Sequence, residues 1–288
     1  MRYDFIMKRV SIFILGAFLL VSFKISAQNV EPAQLNVIYK QLLKHEPTNP
    51  EGAVDVTFVM LSVGDTRAVV EDYAAYKTDS LRALDDIDPT VIEKSEVREA
   101  AAECFFLPKI YLDLERQEIE HHEPILPNRY YYTESFPTDW ELGEGSKEIA
   151  GYLCHEAKLD FAGRQWTAWY TEEIPLPYGP WKLAGLPGLV LAAEDSTGEI
   201  TFELAEIRNK RGIVPPFVRP ESAFEINREG FLELYHAFYP KQESKGLSAG
   251  VTSMTVRKGE NGKTVVFAND GIVLMRSFPN GFIFLEKE

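Results

Sequence analysis

The chain has 288 residues, a formal net charge of −14, 45% hydrophobic residues and 12% aromatic residues. Residues 1–27 hold Arg2, Lys8, Arg9 and Lys24 against Asp4, a net of +3, so the remainder carries −17. That surface disfavours nucleic acid phosphates and anionic headgroups as partners, while the apolar content suits a globular protein and not a disordered acidic tail.

The first element is read as a secretory signal. Lys8 and Arg9 give the positive region, Val10 to Phe23 an apolar run, and Ile25-Ser26-Ala27 a small-residue cleavage site before Gln28. The run falls short of the roughly 20 residues of a membrane-spanning helix, which sets the uncleaved anchor behind export. Residues 1–27 are thus expected to leave, and 28–288 to form a single β-rich domain with no transmembrane segment in the mature chain.

After an irregular start with one short amphipathic piece, Leu35 to Leu43, the run Val54 to Val63 alternates as a strand, with Val54, Val56, Phe58 and Met60 on one face. Thr66 to Leu84 is ambiguous. Thr90 to Phe105 favours helix, with Thr90 and Glu93 as a capping box. Beyond Pro108 the pattern is β. Ile110, Leu112 and Leu114 alternate, and Arg129 to Ser135 is Tyr-rich. Tyr152 to Phe161 and Gln165 to Thr171 read as a hairpin about Ala162-Gly163-Arg164. Leu189 to Ala193 and Ile200 to Ile207 form a second pair about Ser196-Thr197-Gly198.

Ser222 and Glu225 read as the capping box of a helix whose buried stripe is Phe231, Leu234, Tyr235 and Phe238, stopped by Pro240. The turn signals Asn261-Gly262, Asn269-Asp270-Gly271 and Asn280-Gly281 then separate four β-branched or aromatic runs, a closing antiparallel meander. The fold class expected is α+β: a predominantly antiparallel, curved sheet of about ten strands with two or three helices packed on it.

Residues 55–207 carry a resemblance, strongest over 151–195. In order come Gly151 to Ala157, Phe161 to Arg164, Trp166 to Thr171, Glu173 to Pro175, Gly179 to Lys182, and Gly185-Leu186-Pro187-Gly188-Leu189-Val190. This set resembles the GLPGLI family of exported Bacteroidota proteins, with Val190 in place of the final Ile. The resemblance implies a secreted or envelope protein and brings no activity with it. Read physically, Pro187-Gly188 suits a type II turn, with Gly188 at positive φ, feeding the apolar strand Leu189-Val190-Leu191.

Trp166, Trp169, Tyr170 and Trp181 crowd into sixteen residues. They line either an aromatic core or a groove for an apolar ligand against the 222–238 helix, with Arg164 and Lys182 at its rim. Cys104 and Cys154, an even count in an exported chain, are either a disulfide contributing about 4 kcal/mol, two buried thiols, or one reactive thiol. Glu118, Glu120, His121, His122 and Glu123 place only one His on each strand face, so they read as a solvated polar edge, not a metal site. No cofactor, catalytic residue or metal site is assigned. Two function classes stay open: a non-catalytic cell-envelope protein that binds a protein partner or apolar small molecule, and an unrecognised extracytoplasmic, hydrolase-like enzyme.

Overall fold

Two meanders joined at their first and last strands make a single open sheet of twelve strands. The computed structural model describes residues 31–77, 108–125, 128–209, 213–214, 223–238, 254–258, 264–268, 272–276 and 283–287. The first meander runs β2 (Leu35–Lys44), β3 (Val54–Val63), β4 (Arg67–Asp72), β5 (Lys109–Asp113), β6 (Glu118–Ile125) and β7 (Asn128–Ser135). The second runs β8 (Glu141–Ile149), β9 (Tyr152–Phe161), β10 (Arg164–Thr171), β11 (Leu189–Asp195) and β12 (Ile200–Asn209). β12 pairs antiparallel with β2, Phe202 opposite Gln41 and Ile200 opposite Leu43. A short parallel strand, β14 (Ala223–Glu225), lies against β7 at one edge, and β8 forms the other, while β1 (Glu31–Pro32) and β13 (Ile213–Val214) pair separately as a two-stranded antiparallel ladder.

The expected α+β class is corrected. Among the described residues the helical content is two short helices, one of eleven residues at Arg228–Phe238 and one of five at 73–77, so the protein is β-rich. The expected helix at 90–105 lies outside them. Leu35 to Leu43, read as an amphipathic piece, is the central strand β2. Leu35, Val37 and Tyr39 are buried on one face and Asn36 and Ile38 on the other. A strand covered on both faces loses the alternation by which strands are recognised. The hairpins do form as expected. β9 and β10 meet at Ala162 and Gly163, whose φ values of 53° and 72° are those of a tight two-residue turn.

The 228–238 helix starts later than the Ser222/Glu225 pattern predicts, because Glu225 is spent on β14. Asn227 caps it instead, accepting from the Gly230 N–H at 2.9 Å. Its buried residues are Phe231, Leu232 and Tyr235, while Leu234 is 38% exposed. They pack with Ile125 and Tyr132, apart from the main core. The C-terminal meander is a separate three-stranded sheet, β15 (Met254–Lys258), β16 (Thr264–Ala268) and β17 (Ile272–Arg276). Of its expected fourth strand, Phe282 to Leu285, the described residues 283–285 have no regular structure.

Over its first half β3 reverses the polarity its pattern suggests, while Met60, the fourth residue of the expected face, is buried as read. Val54, Val56 and Phe58 are 44%, 40% and 43% exposed, whereas Asp55 and Thr57 between them are buried. The polar side is satisfied internally: His45 Nε2 lies 2.9 Å from Asp55 Oδ2, and Thr57 Oγ1 donates to Asp72 Oδ2 at 3.3 Å.

Candidate functional site

The segment between β10 and β11, residues 172–188, coils against the sheet and buries Tyr178, Trp181, Lys182, Leu183, Ala184 and Leu186 almost completely. Three close approaches force its path. A Cβ on Gly179 would stand 2.4 Å from the Leu183 carbonyl oxygen, one on Gly185 2.5 Å from that of Pro137, and one on Gly188 2.0 Å from that of Thr171. Positive φ falls at Gly185 (96°) and not at Gly188, so the expected type II turn is replaced by another demand on the same glycine. Gly188 is there because no side chain fits against β10. Leu189, Val190 and Leu191 that follow are fully buried, as expected.

Trp181 sits at φ 54°, a left-handed conformation unusual for a bulky residue. Its ring packs 5.5 Å from that of Trp166 and 5.7 Å from that of Phe161. The next residue, Lys182, is 0% exposed and enters a cluster of ionisable groups. Its Nζ donates to the Tyr132 hydroxyl oxygen, to Glu134 Oε1 at 2.6 Å and to Glu286 Oε1 at 2.5 Å. Tyr132 in turn donates to Glu286 Oε1 at 2.5 Å. Arg228, in the first turn of the helix, brings Nε to 3.2 Å from Glu286 Oε2. His121 stacks on Tyr132 with ring centroids 4.9 Å apart and places Nε2 3.1 Å from Glu123 Oε2.

Burial would push the Glu286 carboxyl up. The Lys182 ammonium and the hydrogen bonds from Lys182 and Tyr132 outweigh it and bring it to about 2. Burial, reinforced by the Lys182 charge, holds His121 well below its ordinary value, so it is a neutral imidazole at pH 7. Burial likewise raises Tyr132. Two cations, Lys182 and Arg228, face the carboxylates of Glu134 and Glu286 around a phenol and a neutral imidazole, with Glu123 on the imidazole's other nitrogen.

A second ionic group lies at the β9–β10 turn. Arg164 Nη1 donates to Asp195 Oδ2 at 2.6 Å and to Glu199 Oε2 at 2.9 Å. Asp195 also accepts from Thr197 Oγ1 and from the Ile200 N–H at 2.8 Å. Burial raises this carboxyl, but the hydrogen bonds from Thr197, Ile200 and Arg164 bring it below the usual range. A shallow groove of about 410 Å³ opens here among Asp160 to Gln165, Asp195 to Thr197 and Lys287.

The residues expected to line a ligand groove are thus placed as follows. Trp166, Tyr170 and Trp181 are buried in the main core, which does not include the helix stripe. Trp169 is partly buried on the opposite face, with Lys147 Nζ 4.0 Å from its ring centre. Arg164 and Lys182, expected at a rim, are both buried and ion-paired. The Glu118–Glu123 run is no solvated edge, since Glu120, His121 and Glu123 are buried. It does pair within faces as a strand should, His122 with Glu120 at 2.5 Å and His121 with Glu123. No group of three or more His, Cys, Asp or Glu is set to hold a metal among the described residues. Cys154 is a free, buried thiol donating to the Tyr152 carbonyl at 3.6 Å, and burial raises it. Its candidate partner Cys104 lies outside the described residues. Sequence reasoning missed Tyr132, Glu134, Arg228 and Glu286, which are separated from Lys182 by 46 to 104 residues and meet only in the fold.

Residues 160–192 match a family model described as "Protein of unknown function (Porph_ging)", a span that runs from the β9–β10 turn through the Gly185–Val190 motif into β11. No curated protein matches the chain. Two solved structures titled as PNGF-II, in P21 and C2 space groups, align at 13% and 12% identity with TM-scores of 0.47 and 0.48. Each alignment covers 81% of this chain and 40% of that one, so the chain spans less than half the length of these structures.

Proposed function

We propose that this chain is a GLPGLI-type exported cell-envelope protein that works by binding an apolar surface of a protein partner. The observation that carries the reading is the row Val54, Val56 and Phe58, three consecutive outward positions of β3 that are each at least 40% exposed. Contiguous apolar exposure of this kind marks an interaction surface more often than a single exposed leucine does. An extended segment of a partner can lay its own apolar side chains along the row.

The apolar small-molecule version of binding has less support, because the aromatic residues that would line its cavity pack against one another in the core. Catalysis draws none from Cys154, whose thiol is buried and whose neighbour His155 points to the other strand face. Export rests on the positive, apolar and small-residue regions of 1–27.

Two measurements test this. N-terminal analysis of the protein from its own cell should find Gln28 first, and a chain retaining residues 10–23 would refute export. A photo-crosslinking side chain at position 56 or 58 should capture one discrete partner in that cell, while the same group at the exposed Glu203 should not. With the crosslinking group moved to the neighbouring exposed position 54, the double variant V56K/F58K should abolish the adduct yet unfold within about 0.5 kcal/mol of the parent. Equal labelling at 58 and 203 would refute the surface.

A further inference from the structure

The segment 283–287 belongs to no strand or helix, yet it is held along its backbone at three places. Arg164 Nη2 donates to the Phe284 carbonyl, His236 Nε2 lies 3.1 Å from the Glu286 carbonyl, and the Lys287 N–H donates to the Ala162 carbonyl at 2.9 Å. Its side chains are seated as well. The Phe284 ring meets Tyr235 at 5.3 Å and His236 at 4.5 Å edge-on, and Leu285 is buried against the main core. Glu286 enters the nest of Lys182, Tyr132 and Arg228, and Lys287 Nζ reaches Glu199 at 3.1 Å. The receiving surface is shaped for a passing backbone: a Cβ on Gly163 would stand 2.7 Å from the Lys287 main chain. Backbone donors and acceptors, an aromatic seat and a cation nest for one carboxylate are the means by which a groove holds an extended peptide.

We infer that the groove between the β9–β10 turn and the 228–238 helix is a peptide-binding site, filled here by the chain's own tail. Its ligand class is an extended segment with an aromatic, an aliphatic, a glutamate and a lysine in succession. The segment that fits best in competition is the same one from a second copy of this chain, since the groove already matches its sequence. The site shares no residue with the β3 row, and either proposal can fail alone.

The test uses the full chain and a fluorescent peptide of residues 281–288. The variant Glu286→Gln keeps the shape of its tail but gives up the charge, so its own tail holds the groove less well. The labelled peptide should bind this variant saturably and at least ten-fold more tightly than it binds the parent. A peptide carrying Glu286→Gln should bind at least ten-fold more weakly than the unaltered one. A folded variant that takes up neither peptide at concentrations to about 1 mM overturns the inference. Should that variant not fold, native-state hydrogen exchange of the parent decides. The Lys287 amide should exchange through local opening, faster than amides of β2 and β11. Protection equal to theirs would show that the tail leaves only when the whole protein unfolds, and there is then no exchangeable site.

Discussion

Replacing Glu286 by Gln leaves the shape of the C-terminal segment and removes one buried charge, so the worth of that charge can be worked out. Glu286 is 2% exposed and its carboxyl moves from an ordinary 4.5 to about 2 in the folded protein. A fall of that size corresponds to about 3 kcal/mol of folding stability at pH 7. A second route gives a similar figure. Without Glu286, Lys182 is left fully buried with Glu134 as its one carboxylate, and breaking a buried pair on one side costs about 3–5 kcal/mol. We therefore expect the variant to unfold about 3 kcal/mol more easily, a fall of roughly 6–12 °C in Tm for a domain of this size. The pH dependence carries the stronger test. A carboxyl whose folded value is depressed contributes fully above its unfolded value, and the contribution is lost as pH falls through the folded value. The gap between parent and variant in urea unfolding should hold steady above about pH 4.5 and close toward pH 2. His121 is coupled to Glu286, its Nδ1 lying 3.7 Å from Glu286 Oε1, so parent and variant are compared in a common His121→Asn background, which removes its titration from the difference. A gap below about 1 kcal/mol at pH 7, or one unchanged between pH 5 and pH 2, would refute the ionic account of this cluster.

Gly188→Ala should cost more than about 2 kcal/mol by denaturant unfolding, because its Cβ would stand 2.0 Å from the Thr171 carbonyl oxygen. Gly151→Ala should cost only about 1 kcal/mol, since its φ is 87° but nothing lies within 4 Å of the added methyl; reversal of that order would show that positive φ, not space, governs the motif. Asn227→Ala should lose about 1 kcal/mol through the missing cap on the Gly230 N–H, and an unchanged Tm would place the cap elsewhere. The Cys154 thiol should resist alkylation at pH 8 in the folded protein and react on unfolding, followed by mass spectrometry of its peptide, whereas rapid native labelling would contradict its burial.

Local sequence determined the hairpins and the short-range order of strands. Gly163 and Gly198 sit at positive φ in two-residue and four-residue turns, and the runs on either side are β-branched or aromatic, so backbone sterics decide the outcome within a few residues. The apolar run Leu189 to Leu191 and the pairing of His121 with Glu123 on one strand face were legible for the same reason. What could not be read is which side of a strand faces the core. Alternation separates Val54, Val56 and Phe58 from Asp55 and Thr57, but what packs on each face decides which set is covered, and here the polar set is. Nor could local pattern show that Leu35 to Lys44 lies at the centre, since a strand covered on both faces has no period to read. The ionic cluster was least legible of all. Lys182, Tyr132, Arg228 and Glu286 come from a loop, a strand, a helix and the tail. Charges so far apart in sequence become partners only when the fold has removed them from water, where each would otherwise be solvated alone.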